Sequence, residues 1–234
     1  MNIITNETLI KRMGIIGQVC MYSGLAILVG GMVLSFNNPA KYFYVSLVSL
    51  ILGFILSQVG INYTSKFGRP PRPNDLFNQA LKGMDRKNTI YHFMTPVPHL
   101  LVGPLGVWIL IPRHQRGRIT FEKGRWKQKG SNLYLKFFAQ DSIGRVDLDV
   151  QSEKDKLTSF LKKHMREEEL PPIYAAVVFT TPSATVDIPE DVEASAITVK
   201  INDLKEVLRK DNKSKQLPAA KVQQIVDLFP EESQ

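Results

Sequence analysis

Two stretches of this chain, residues 14–36 and 42–63, contain no charged side chain, and this limits the possible folds more than any other feature. They read GIIGQVCMYSGLAILVGGMVLSF and YFYVSLVSLILGFILSQVGINY. A helix needs about 20 apolar residues to cross bilayer hydrocarbon, and each stretch is long enough. Core helices of soluble proteins usually keep a polar face, and a cleaved leader is shorter and ends at a small-x-small site. Neither pattern is present. The sequence therefore predicts a transmembrane helical hairpin over residues 14–63, with residues 37–41 as its turn.

Basic residues set the expected orientation. Lys11 and Arg12 precede the first span, Lys66, Arg69 and Arg72 follow the second, and the turn holds Lys41 alone. Positive charge favours the cytoplasmic side, so both termini and the soluble part are expected in the cytoplasm beneath a cell membrane crossed twice. Within the spans, Ser49, Gly53 and Ser57 recur every four residues, as do Ala26 and Gly30. Small residues so spaced let helices approach, either within the hairpin or between copies of the chain in a homo-oligomer. Gln18 and Gln58 lie inside the spans, one to a helix. An interhelical hydrogen bond is expected of them rather than an ion path, which needs ionisable groups. Cys20 is the single cysteine, so neither a disulfide within the chain nor a cysteine zinc site is available.

Four segments follow from this reading. Residues 1–13 are an N-terminal lead, 14–63 the hairpin, 64–74 a stiff basic connector containing GRPPRPN, and 75–234 an α/β domain. In that domain a helix starts near Asn74. Strand-like runs cover residues 89–94, 99–102, 107–111, 118–122 and 133–138. A second helix is expected from Ser152, with Asp155 completing a capping box. The run PPIYAAVVFTT (171–181) has the near-continuous apolar character of a strand covered on both faces. A strand near 197–201 and helices near 203–210 and 219–229 end the chain. This alternation predicts helices packed on a mixed sheet.

The strand pair PHLLVGPLGVWILIPRH, the following GRI and GRW, and the later VVFTTPSATVDI resemble the nuclease-related domain, a membrane-tethered branch of the PD-(D/E)XK nuclease fold. The resemblance covers residues 75–207 and implies a restriction-endonuclease-like α/β domain. In that family the strand pair opens on I-D-H, turns at a glycine and ends on E-x-K. The two acids hold a divalent metal and the lysine positions or polarises the attacking water. Here His99 and Gly106 match the family's histidine and glycine. The aspartate position is Pro98, and E-x-K falls on Ile111, Pro112 and Arg113. Arginine stays protonated and cannot act as a base. Asp75 is a weak match to an acid on the first helix, and one carboxylate alone holds catalytic magnesium poorly. The resemblance therefore implies an inactive site, with no metal and no cofactor. His92, His99 and His114 lack the spacing and supporting acid of a metal centre.

Charge is more informative. Between Arg113 and Lys129 lie seven basic residues, Arg113, Arg116, Arg118, Lys123, Arg125, Lys127 and Lys129, and one acid, Glu122, in a chain of net charge +8. Such a hairpin attracts polyanions, either nucleic acid or the anionic lipid of the neighbouring bilayer. The expected function is a membrane-anchored, catalytically inactive binding or scaffolding module. The alternatives are a nuclease with relocated metal ligands and an assembly factor for membrane proteins.

Overall fold

The computed structural model describes residues 1–68, 70–122, 125–129, 143–182, 184–187, 196–210 and 216–229. The chain forms two compact units, Glu7–Arg72 on the one hand and Met1–Asn6 with Pro73–Gln234 on the other.

The first unit is a hairpin of α1 (Glu7–Asn37) and α2 (Pro39–Phe67). Both helices are long and apolar enough to cross a membrane. Apart from Ile3 and Leu148, every exposed large hydrophobic side chain among the described residues lies on these two helices, up to 81% exposure at Phe36. Apolar surface of that extent requires a cover, and a bilayer supplies one. The turn is tighter than the expected five residues, because both helices run into it and leave only Asn38 between them. Asn38 caps α2 by accepting a hydrogen bond from the Lys41 backbone at 3.1 Å, and Pro39 occupies the first turn, where its missing N–H costs nothing.

Glycines form the seam between the helices. A Cβ on Gly60 would lie 2.5 Å from the Met21 nitrogen, and one on Gly24 would lie 2.7 Å from Ser57 Oγ. Ser49, Gly53 and Ser57 meet this seam, as their spacing predicts. On α1 the seam runs instead through Gly17, Gly24 and Gly31, while Ala26 and Gly30 face outward. The expected glutamine pair does not meet either. Gly17 packs against Tyr63 and Thr64, which sets Gln18 more than a turn beyond Gln58. A hydrogen bond between helices comes from Ser46 Oγ, which donates to the Gly31 carbonyl at 3.1 Å.

The second unit is an α/β sandwich. Its six-stranded mixed sheet has the order β1 (Asn2–Thr5), β2 (Thr89–His92), β3 (His99–Gly103), β4 (Gly106–Arg113), β7 (Ile173–Phe179) and β9 (Ile197–Lys200). The middle strands β2, β3 and β4 form an antiparallel meander, and the other pairings are parallel. A smaller sheet has the order β6 (Arg125–Lys129), β5 (Gly117–Glu122) and β8 (Ala184–Asp187).

Strand alternation divides the core of the main sheet. Val107, Ile109, Val177 and Phe179 face α4 (Val146–His164) and α6 (Ala219–Val226). Trp108, Leu110, Ala176 and Val178 face α3 (Pro73–Ala80) and α5 (Leu204–Lys210). Strand β7 is covered on both faces, which accounts for its unbroken apolar run.

Three differences from the sequence reading have physical causes. The N-terminal lead contains β1, whose Asn2 amide donates to the Asn88 carbonyl at 2.8 Å. The helix expected from Ser152 starts at Val146, because Asp147 and Asp149 favour its positive end without any capping box. Strand β8 forms after the 171–181 run. The strand expected at 133–138 lies outside the described residues.

Replacing Gly60 by Leu should force α1 and α2 apart, at a cost of about 1–3 kcal/mol. A Cβ at Gly30 meets nothing within 4 Å, so Gly30→Leu should be neutral. Maleimide modification of Cys20 in detergent is the readout. It should be faster than wild type in Gly60→Leu and unchanged in Gly30→Leu.

Candidate functional site

The β2–β3 turn brings two histidines face to face. His92 ends β2 and His99 begins β3, directly opposite each other in the antiparallel ladder. Phe93 closes the turn with its amide on the Pro98 carbonyl at 2.8 Å. It adopts φ of 58°, a left-handed conformation in which L side chains are strained. Its ring lies 5.0 Å from that of His99, and Phe77 of α3 packs against both imidazoles. Both histidines are buried.

Two hydrogen bonds order this cluster. His92 Nδ1 lies 2.9 Å from His99 Nδ1, and His92 Nε2 lies 2.9 Å from Asn78 Oδ1 on α3. The amide oxygen accepts, so His92 Nε2 carries a proton. In neutral His92 the other nitrogen is then a lone pair, and it accepts from His99 Nδ1–H. The chain of donors is complete with both rings uncharged. Burial lowers the His92 pKa to about 4, opposed by the negative charge of Asp75, and burial with the neighbouring His92 holds that of His99 well below the ordinary histidine value. At neutral pH the cluster is a polar tie between α3, β2 and β3. His114 lies apart, exposed, with its carbonyl accepting from Thr181 Oγ1 at 2.6 Å.

The opposite face of the sheet carries the first and last of the E-x-K positions. Ile111 packs against the apolar core on the α4 side. Arg113 points the same way and forms an ion pair with Asp149 on α4. Its carbonyl accepts from the backbone and hydroxyl of Thr180, at 2.8 and 3.1 Å. Pro98 is exposed in the turn. His99 and Arg113, neighbours in the motif, therefore face opposite sides of the sheet. No group of three or more His, Cys, Asp or Glu side chains suited to a metal ion occurs among the described residues.

The basic segment covers the three-stranded sheet. Register sets Arg118 opposite Lys129, Thr120 opposite Lys127 and Glu122 opposite Arg125, while Phe121 faces Trp126. Ile119, Trp126 and Val186 join the core from one side of this sheet, and Arg118 and Lys127 are exposed on the other. The positive charge is smaller than the local sequence count. Asp149 pairs with Arg113, Asp187 with Arg118, and Glu122 with Lys127. Two of these acids come from remote elements, so no local count could include them. Arg116 is exposed, and its carbonyl accepts from Gln128. Lys123 and the side chains of Arg125 and Lys129 lie outside the described residues.

The histidine pair escaped sequence reasoning because its register depends on the turn between the strands. With FMTPVP read as a turn and Phe93 as its first residue, His92 and His99 become opposite neighbours. Comparisons with protein-family models, curated proteins and solved structures find no match to this chain.

The buried pair makes stability depend on pH. A histidine near 6.5 when unfolded but near 4 when folded takes up its proton first in the unfolded state. Its stabilising contribution is complete above pH 6.5 and is lost as the pH falls towards 4, about 3 kcal/mol for His92 alone. Tryptophan-monitored unfolding of the full chain in detergent should show this loss. His92→Gln should make it shallower, with His99 still contributing, and an equally steep loss in that variant would contradict the assignment.

Proposed function

We propose that this chain is a membrane-anchored, non-catalytic binding module built on a nuclease-related-like α/β domain. The carrying observation is the surroundings of the E-x-K positions, where Ile111 packs in the apolar core and Arg113 is ion-paired to Asp149. Both residues are committed to structure. The order α3, the β2–β3–β4 meander, α4 and then β7 parallel to β4 supports the resemblance at the level of topology. Between α3 and the meander, the His92, His99 and Asn78 side chains hydrogen-bond one another.

The membrane part of this reading has two supports. The hairpin's apolar surface is exposed, and both of its ends join the same domain, because β1 precedes it and pairs with β2 beyond it. Both termini then lie on one side of the membrane. Lys11, Arg12, Lys66 and Arg72 at those ends, against Lys41 near the turn, favour the cytoplasmic side. The ligand surface in this reading is the outer face of β5 and β6. Its exposed ion pairs contribute little to stability, so Arg118 and Lys127 exchange an acidic neighbour for a polyanion at small cost.

One experiment tests binding and catalysis together. Full chain in detergent, incubated with duplex DNA and Mg²⁺ or Mn²⁺, should retard the DNA at low salt, release it steeply as salt rises, and leave it intact. Gln at positions 116, 118, 125 and 127 together should remove most of the retardation. Metal-dependent cleavage that one substitution such as Asp75→Asn abolishes would overturn the non-catalytic reading. Undiminished retardation in the quadruple variant would remove the binding face.

A further inference from the structure

A cleft of about 320 Å³ opens at the base of the hairpin, among Lys11, Gly14, Ile15 and Gln18 of α1 and Phe67 and Arg72 at and beyond the end of α2. Lys11, Ile15 and Gln18 are four and three residues apart and share one helix face. Gly14 admits the close crossing, since a Cβ there would lie 2.8 Å from the Phe67 carbonyl oxygen. Arg72 Nε donates to the Gly68 carbonyl at 2.7 Å, which holds the guanidinium at the rim.

The chemistry of the cleft is graded along α1. Lys11 and Arg72 supply positive charge, and Gln18 lies about 10 Å deeper at 1.5 Å per residue. Helical side chains lean towards the N-terminus, so the Gln18 amide reaches back towards Lys11. Gln18 is exposed on an otherwise apolar span, where a polar group in hydrocarbon needs a bonding partner. Ile15 and Phe67 give the apolar wall. Glu7 is the one acid in residues 1–74, against Lys11, Arg12, Lys41, Lys66, Arg69 and Arg72.

We propose that this cleft binds one anionic glycerophospholipid. Lys11 and Arg72 hold its phosphate, the Gln18 amide donates to a glycerol-ester carbonyl, and an acyl chain lies along Ile15. A soluble anion matches only the rim, and an apolar ligand matches only the wall of Ile15 and Phe67. The whole gradient matches a membrane lipid of net negative charge. The proposal rests on the membrane reading of the hairpin and is independent of the β5–β6 face.

The test is native mass spectrometry of the full chain in detergent, equilibrated with mixed micelles containing phosphatidylglycerol or phosphatidylcholine. Wild type should retain phosphatidylglycerol in preference, and excess inorganic phosphate should not displace it. Lys11→Gln with Arg72→Gln should lower its retention about tenfold. Gln18→Leu should weaken both lipids without changing the preference, because the ester is common to both. Unchanged Cys20 modification shows that each variant keeps its hairpin. Equal retention of the two lipids by wild type, undiminished phosphatidylglycerol in the double variant, or full displacement by phosphate would overturn the site. Alkaline carbonate extraction separates this failure from that of the membrane reading. A chain that stays in the membrane without lipid preference rejects the site alone, and a chain that is released rejects the hairpin's membrane role and the site with it.

Discussion

Pairing between β1 and β2 joins residues on either side of a helical hairpin more than sixty residues long, and the rest of the architecture depends on it. Asn2 to Thr5 add a parallel strand to the sheet edge before the chain leaves through α1, and the chain re-enters the same unit at Pro73. The hairpin is thus an insertion in the α/β domain. On the membrane reading, such an insertion must begin and end on one face of the bilayer, whatever the distribution of basic residues. The strand pairing bears on the two ends sharing a side, and the charge bias alone bears on which side that is.

Within the sandwich, each face of the main sheet uses polar groups to position helices. On one face the His92–His99–Asn78 chain ties α3 to the meander, and its neutral rings fit a site from which burial excludes charge. On the other face Arg113 reaches Asp149 of α4 while Ile111 fills the core beside it.

Much of the fold was legible because periodicity reports burial. The uncharged runs marked both long helices, and the continuous apolar run at 173–179 marked a strand covered on two faces. What escaped depends on remote partners. Four residues of β1 have no local signal beyond two isoleucines, and their sheet partner lies beyond the hairpin. Val146 begins α4 without a side-chain cap, so the capping pattern at Ser152 and Asp155 pointed six residues too late. Ala26 and Gly30 lie off the hairpin seam, because seven-residue spacing of Gly17, Gly24 and Gly31 set it. The basic segment was read as a nearly uncompensated patch because Asp149 and Asp187 approach it only in the folded chain.

Amide hydrogen exchange across residues 2–6 of the full chain in detergent tests the inserted-hairpin architecture most directly. The Asn2 and Asn6 amides donate to the Asn88 and His92 carbonyls at 2.8 and 3.0 Å. This peptide should exchange slowly, and Ile90→Pro, which disrupts β2, should release it. Exchange of residues 2–6 at the rate of a free chain, with β2 and β3 still protected, would contradict it.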